Sequence, residues 1–299
     1  MLVIDSVREM QQLGRSLRYG GHIIGFVPTM GYLHEGHLSL IRAAREECDK
    51  VVVSIFVNPA QFAPGEDFSN YPRDLERDKK LTADEGVDVV FAPTARGMYP
   101  LGFNTFVETE GELSSGLCAS SRPGHFRGVT TVVSKLFNIV GADIAYLGQK
   151  DAQQAAVIKR MVKDLNMPVN IKVMPTVREG DGLAMSSRNS YLSPEERMQA
   201  VLVSRALLRA GELVSLGVRD SGSLVSEIEK ILRTGKDIRI DYICVADPET
   251  LEPVSAVEKE ALILVAAYVG RTRLIDNMVV TGDGRIGSLS GVGSERNKI

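Results

Sequence analysis

The sequence has few of the features that mark secreted, membrane-bound or nucleic-acid-binding proteins. Its three cysteines are far apart with no CxxC pair, which disfavours a disulfide framework and predicts a reduced, cytoplasmic setting. No apolar run is long enough to cross a bilayer, and the N-terminus lacks the basic and apolar regions of a signal peptide. The net charge is −3 and the basic residues are scattered, so we expect neither a membrane nor a nucleic acid as partner.

The 299-residue chain is long enough for two domains. In its first part, short apolar runs typical of buried strands alternate with amphipathic segments. This alternation predicts a parallel sheet with right-handed crossovers, and therefore a Rossmann-like, doubly wound α/β fold. The predicted strands are 22–27, 50–56, 87–91, 143–147 and 169–174, and the predicted helices are 37–47, 72–86, 128–140 and 151–166.

The pattern changes after residue 187. Ser193-Pro194-Glu195-Glu196 predicts the start of a helix that runs to about residue 216, and a second helix follows over 221–234. Three strand-like runs complete a smaller α+β domain that we expect to act as a lid. Those strands are 238–246, 261–268 and 273–280, and the predicted units are 1–186 (Rossmann-like), 187–283 (C-terminal α+β) and 284–299 (a disordered tail).

Two of the four histidines lie in the segment His34-Glu35-Gly36-His37, directly after the first predicted strand of the sheet. A strand-to-helix turn in an α/β protein is a common phosphate site, because free amide groups and the helix dipole face the ligand. Two imidazolium rings there would donate hydrogen bonds to phosphate oxygens. Zinc binding is the alternative, although no third histidine or cysteine is nearby.

Two further segments suit a triphosphate. Gly148-Gln149-Lys150-Asp151 ends a predicted strand, and its lysine would neutralise phosphate charge while Asp151 could equally cap the next helix. Met185-Ser186-Ser187-Arg188 offers two hydroxyls and a guanidinium in a glycine-flanked loop, although such a loop can also be a plain linker.

Other candidates carry a weaker signal. Asn58 and Gln61 follow a strand and their amides can bind hydroxyl or carboxylate groups, although a plain turn explains them as well. Arg122 lies in a loop rich in glycine and proline. Asp74 and Asp78 are carboxylates that could hold Mg²⁺ through waters, although a capping or solvated role explains each of them as well.

Six segments that follow one another along the chain together resemble the pantothenate synthetase (pantoate–β-alanine ligase) family of the HxGH nucleotidylyltransferase superfamily. The resemblance covers about residues 1–282 and includes the closing segment Arg273-Leu274-Ile275-Asp276-Asn277. It implies an enzyme that joins (R)-pantoate to β-alanine with ATP and Mg²⁺ through a pantoyl adenylate, and that works as a homodimer. The six segments are residues 28–37, 58–62, 122–129, 148–151, 175–179 and 185–189.

The resemblance also implies roles for individual residues. His37 would be the proton donor, with His34 and Lys150 beside it as catalytic residues, and Gln61 and Gln154 would hold pantoate with Asn58 and Arg122 nearby. Asp74 is the implied Mg²⁺ ligand, although Arg73 before it departs from the family pattern. The implied ATP-binding residues are Met30, Gly31, Tyr32, Leu33, His34, Glu35, Gly36, His37, Gly148, Gln149, Lys150, Asp151, Val177, Met185, Ser186, Ser187 and Arg188.

Two other functions fit parts of the pattern. A nucleotidyltransferase on the same scaffold would keep AMP on its product and would not need β-alanine for turnover. A non-enzymatic nucleotide-binding module would explain the sheet and the histidine segment but not the Ser-Ser-Arg loop.

Overall fold

A six-stranded parallel sheet forms the first part of the computed structural model, which describes residues 1–287 and residue 289. The strand order is β1-β4-β3-β2-β5-β6. All five predicted strands are confirmed to within two residues, and β1 was missed because it is a three-residue edge strand with mostly exposed side chains. The strands are β1 Leu2–Ile4, β2 Ile24–Thr29, β3 Lys50–Ile55, β4 Val89–Phe91, β5 Ile144–Gly148 and β6 Asn170–Met174.

Helices cover both faces of this sheet, which confirms the doubly wound α/β fold. Apolar side chains of α1, α7 and α8 pack on one face against Phe26 and Val52, and those of α2 pack on the other face against Val51 and Val53. The helices are α1 Val7–Tyr19, α2 Glu35–Glu47, α3 Leu75–Asp84, α4 Ala95–Met98, α5 Glu112–Ser115, α6 Cys118–Ser121, α7 His125–Val140 and α8 Ala152–Asp164.

Two helices begin three residues away from the predicted position, each for a local reason. α3 begins three residues late because the Asp74 carboxylate accepts a hydrogen bond from the Arg77 N–H (3.0 Å) and caps the helix. α7 begins three residues early and includes Gly128. A Cβ atom at Gly128 would lie 2.2 Å from the Ala60 carbonyl oxygen, so glycine allows the helix backbone to touch the turn after β3.

The second part of the chain forms an antiparallel sheet in the order β10-β9-β8-β7, with two helices packed against it. The predicted capping box is present: the Ser193 N–H donates to the Glu196 carboxylate (2.9 Å) and the Glu196 N–H donates to the Ser193 hydroxyl (3.2 Å). The elements are α9 Pro194–Ser215, α10 Ser221–Leu232, β7 Ile238–Ala246, β8 Glu260–Val269, β9 Thr272–Thr281 and β10 Ile286–Gly287.

The segment predicted to be a disordered tail begins with ordered residues. Ile286 and Gly287 pair with β9, and Leu289 is buried with its N–H donating to the Gln149 side chain (3.0 Å). The glycine-rich composition predicts disorder, but these residues are ordered because they pair with β9 and because Leu289 is buried. The rest of the predicted tail, residues 288 and 290–299, lies outside the described residues. The division at residues 186 and 187 stays a prediction.

The order of the parallel strands determines where a ligand can bind. The chain runs from β2 through β3 to β4 on one side and then returns to place β5 and β6 on the other. A crevice therefore opens beyond the carboxyl ends of β2 and β5. No helix in the described part of the chain is long and apolar enough to cross a bilayer.

Candidate active site

A cavity of about 200 Å³ lies at this crevice. Its lining includes the ends of β2, β3, β5 and β6 together with the loop at Met185–Arg188. A second cavity of about 1220 Å³ opens between the two sheets, and it shares Lys150, Asp151, Ser186 and Arg188 with the first. The two cavities therefore form one cleft beyond the carboxyl ends of the parallel strands, and the C-terminal sheet lines its second cavity.

One side of the cleft is the segment Met30–His37, which we call the histidine wall. His34 is the N-cap of α2 and His37 lies in its first turn. Their rings lie 4.1 Å apart between centroids, tilted by 35°, and both line the first cavity. The His34 N–H donates to His37 Nδ1 (3.3 Å), so the proton of a neutral His37 ring lies on Nε2. His37 can therefore donate from Nε2.

Both rings have a pKa below the ordinary value in the protein alone, which favours neutral rings over the expected imidazolium donors. Burial, reinforced by the charge of Lys150, lowers the pKa of His34 to about 4. Burial is the largest of the causes that lower the pKa of His37 well below its ordinary value. The neighbouring His34 and Lys150 lower this pKa further. The sequence pattern gives no measure of this burial. Each ring supplies one N–H donor, and a bound polyphosphate would favour protonation.

Two features hold the histidine wall in shape. The buried Asp78 carboxylate accepts hydrogen bonds from the N–H groups of Tyr32 (2.7 Å) and Leu33 (2.8 Å). A Cβ atom at Gly36 would lie 3.0 Å from two atoms of the His34 ring. Tyr32 has a φ of +52°, a backbone conformation that is unfavourable for a residue with a side chain. The hydrogen bonds to Asp78 offset this cost and hold the loop in place.

The other side of the cleft, which we call the lysine wall, consists of Gly148–Asp151 and Ser186–Arg188. The Lys150 side chain lines both cavities and is 19% exposed. The Ser187 hydroxyl donates to the Tyr32 carbonyl (3.3 Å) and so links the two walls. The Arg188 guanidinium donates to both oxygens of Asp67 (2.9 Å each), a residue of the loop after β3. A phosphate ligand of Arg188 would have to compete with Asp67.

The residues predicted to hold the acid substrate are divided between the cavities. Gln61 and Gln154 line the first cavity, and the Gln61 amide contacts Met30 Sδ (3.2 Å). Asn58 also lines it, but its amide donates to Gln61 and Gly128 and accepts from Ala60 and Tyr99. Asn58 therefore orients Gln61 and has little capacity left for a ligand.

Arg122 lines the second cavity and not the first. Its guanidinium donates to both Glu66 oxygens (2.7 Å each) and lies 3.1 Å from His125 Nε2. The buried His125 ring in turn contacts the Gln61 carbonyl through Nδ1 (2.8 Å). Arg122 is thus connected to Gln61 through His125.

Several predicted ATP-binding residues face away from the first cavity. Leu33 is fully buried, Glu35 pairs with Arg42 on the surface, and Gln149 is buried against Asn277. These residues lie in segments that reach the cleft. Neighbouring residues of a turn point in different directions, so only some residues of each segment line the cavity. The predicted ATP-binding residues outside the lining are Gly31, Tyr32, Leu33, Glu35 and Gln149.

The carboxylates of the cleft suit a magnesium ion that arrives with a nucleotide. Among the residues that the structure describes, no group of three or more histidine, cysteine, aspartate or glutamate side chains is arranged to hold a metal. Asp74 caps α3 and does not line either cavity, whereas Asp151 lines both. Mg²⁺ needs only one or two carboxylates when phosphates and waters supply the rest. The donor set fits that ion, with Asp151 better placed than Asp74, and does not fit a zinc site.

The sequence did not predict that Asp78 and Asp67 support the two walls; Asp78 was considered only as a possible Mg²⁺ ligand. Asp78 and Asp67 lie far along the chain from the segments they hold, and no spacing pattern connects them. The apolar floor of the cavity is formed by side chains of α7. The helical periodicity of α7 was predicted, but that pattern did not indicate that the helix lines the site. The side chains of this floor are Val129, Val132, Val133 and Leu136.

Comparisons with known proteins bear on this site. A family model described as pantoate-beta-alanine ligase matches residues 2–279. A pantothenate synthetase of Heliobacterium modesticaldum is 59% identical over 280 residues, which cover 94% of this chain and 99% of that protein. The pantothenate synthetase of Moorella thermoacetica is 54% identical with the same coverage.

Solved structures agree with the sequence matches. A crystal structure of pantothenate synthetase from Thermus thermophilus has a TM-score of 0.88 and 47% identity, and the match covers 93% of this chain and 98% of that one. A pantoate-beta-alanine ligase from Francisella tularensis, complexed with beta-gamma ATP and beta-alanine, has a TM-score of 0.76 and 37% identity. That match covers 93% of this chain and 97% of the other.

Proposed function

The chain belongs to the pantoate–β-alanine ligase family, and we propose that the cleft between the histidine wall and the lysine wall is its active site. The protein is a ligase that condenses pantoate with β-alanine using ATP. The reaction passes through a pantoyl adenylate: pyrophosphate leaves when the adenylate forms, and AMP leaves when the amide forms.

The first step joins two anions, so the site must offset their repulsion. A carboxylate oxygen of pantoate attacks the α-phosphorus, and the bond from that phosphorus to the pyrophosphate oxygen breaks. Fixed donors aimed at the developing charge lower the barrier most effectively. His34, His37 and Lys150 face one cavity from its two walls and supply such donors. The Ser186 hydroxyl adds a donor for the departing pyrophosphate, and the Ser187 hydroxyl and the Arg188 guanidinium add donors when they exchange their contacts with Tyr32 and Asp67 for the ligand.

The second step takes place at the part of the cleft that binds pantoate. Gln61 and Gln154 hold pantoate so that its carboxyl group faces the α-phosphorus. The amine of β-alanine attacks the carbonyl carbon of the adenylate, the bond to the phosphate oxygen breaks, and the amine nitrogen loses its extra proton. The adenylate must be kept from water until this attack. The C-terminal sheet across the second cavity provides that cover.

We also propose Mg²⁺ as the ion that accompanies ATP. The ion would neutralise phosphate charge, with Asp151 as the protein ligand that the geometry favours. The resemblance further supports a homodimer in the cytoplasm. Light scattering coupled to gel filtration would measure the mass, and a mass of about one chain would contradict the dimer.

One observation carries the functional proposal: two histidines at the start of α2, with ring centroids 4.1 Å apart, face Lys150 and the Ser-Ser-Arg loop across one cavity. The test is a coupled assay of AMP release in which each substrate is omitted in turn. We expect AMP only when ATP, pantoate and β-alanine are all present. Pyrophosphate is measured in the same reactions. Repeated release of pyrophosphate without AMP when β-alanine is omitted would favour a nucleotidyltransferase, and release of neither product with all three substrates would favour a binding module.

A further inference from the structure

A side chain from the C-terminal sheet reaches the main chain of the lysine wall. Asn277 lies on β9 and is 2% exposed. Its Nδ2 donates to the carbonyl oxygens of Gln149 (2.8 Å) and Lys150 (3.0 Å). Its Oδ1 accepts a hydrogen bond from the Gln149 side-chain amide (3.1 Å). One amide therefore binds the turn after β5 at three points.

The residue before Asn277 fixes the position of this amide. The Asp276 carboxylate accepts two hydrogen bonds from the Arg178 guanidinium (2.6 and 3.1 Å) and one from the Asn277 N–H (2.8 Å). Arg178 belongs to the segment between β6 and the Ser-Ser-Arg loop, and it also donates to the Gly182 carbonyl (3.1 Å). β9 is therefore tied to both segments that flank the cleft on the lysine side.

An asparagine side chain suits this position better than an aspartate or an apolar side chain does. An amide supplies two N–H donors and an acceptor in one plane, which matches two carbonyls and one amide donor. An aspartate would offer no donor, and an apolar residue would leave both buried carbonyls without this partner. The Lys150 side chain has four rotatable bonds, so its ammonium can be placed reproducibly only if its main chain is held.

We propose that Asn277 is a positioning residue for adenylation, because it holds the main chain of Lys150 and so places the ammonium group against the phosphates of ATP. The inference rests on the proposed function, since Asn277 acts through a residue assigned there. It adds that the C-terminal sheet helps to form the catalytic geometry and does not only cover it.

A double-mutant cycle tests this inference. Asn277→Ala is made in the natural chain and in a Lys150→Ala chain, and pantoate-dependent pyrophosphate release is measured for all four proteins. In the natural chain we expect kcat to fall about 10- to 100-fold, with KM for pantoate nearly unchanged, because misplacement affects the reacting geometry. In the Lys150→Ala chain we expect a further loss of less than about 3-fold, because the residue that Asn277 positions is already gone.

Two controls keep the result interpretable. Asn138→Ala removes an exposed amide that donates only to Ser134 within α7, and we expect unchanged kinetics. Thermal unfolding shows whether each variant is folded. If Asn277→Ala does not fold, Asn277→Ser, which keeps one donor, is carried through the same cycle.

Two results for Asn277→Ala would overturn the inference, provided that the natural enzyme makes pantothenate. One is an equal loss of kcat from Asn277→Ala in the natural and the Lys150→Ala chains, and the other is full activity of Asn277→Ala. The proposed function fails separately if the natural enzyme forms no AMP from its three substrates. Full activity of Lys150→Ala would overturn the inference by removing the residue through which Asn277 acts.

Discussion

The two walls of the cleft are supported in different ways. The histidine wall is held mainly by its own parallel-sheet unit: Asp78 of α3 binds its N–H groups, and the Thr29 hydroxyl accepts from Gly31 (3.1 Å). The lysine wall is held from outside, by Asn277 of the C-terminal sheet and by Asp67 of the loop after β3. The main support of the histidine wall therefore comes from the parallel-sheet part of the chain, whereas the lysine wall also depends on β9 of the C-terminal sheet.

The largest effects should come from the residues at the face of each wall. We expect His37→Ala and Lys150→Ala each to lower kcat/KM for adenylation by about 10²- to 10³-fold, because each removes a donor aimed at the developing charge. Pyrophosphate release measures this step. His22→Ala, an exposed histidine outside the cleft, is the control. Near-normal release by both wall variants would contradict the assignment of either wall to catalysis.

The support beneath the histidine wall should come next in size. Asp78→Asn replaces one acceptor oxygen by a donor that faces a main-chain N–H, so we expect the free energy of unfolding to fall by about 1–3 kcal/mol. Urea unfolding measures the change. Asp74→Asn is a matched control on the same helix, because asparagine caps a helix about as well as aspartate. Equal losses in the two variants would show that Asp78 has no special role in the wall.

The neutral histidines predict how stability depends on pH. The pKa of His34 is lowered to about 4 in the folded state, so between about pH 6.5 and 4 the unfolded chain binds a proton that the folded chain does not. The free energy of unfolding therefore falls as the pH falls through this window, by up to about 1.4 kcal/mol per pH unit for one histidine. We expect His34→Gln to have a shallower slope in urea unfolding at several pH values. An unchanged slope would show that His34 is not buried as a neutral ring.

The smallest effect should come from the pair that holds Arg188. If ATP phosphates must compete with Asp67 for the guanidinium, Asp67→Asn should lower KM for ATP by about 2- to 5-fold, since a partly exposed ion pair contributes little. Initial rates at varied ATP concentration measure this. Glu110→Gln removes one exposed negative charge away from the cleft and controls for net charge. A higher KM for ATP in Asp67→Asn would show that Asp67 positions Arg188 for binding.

The same difference between the walls explains what the sequence could predict. An apolar run, a glycine and a helical pattern around His34 and His37 are local signals, and the structure places both rings in the cleft. Asp78 lies 45 residues from Leu33 and Asn277 lies 128 residues from Gln149, so their contacts depend on tertiary packing with no local pattern. The lowered pKa of both histidines could not be predicted for the same reason, because burial is a property of the whole fold.

The contact between Asn277 and Lys150 also has a consequence for biosynthesis. A ribosome makes the chain from its N-terminus, and domains generally fold as they emerge. The parallel sheet is complete once β6 has emerged at Met174, but the strand that binds the Lys150 main chain ends at Thr281. While residues 175–281 are being made, the nascent protein therefore carries a histidine wall with no finished partner opposite it.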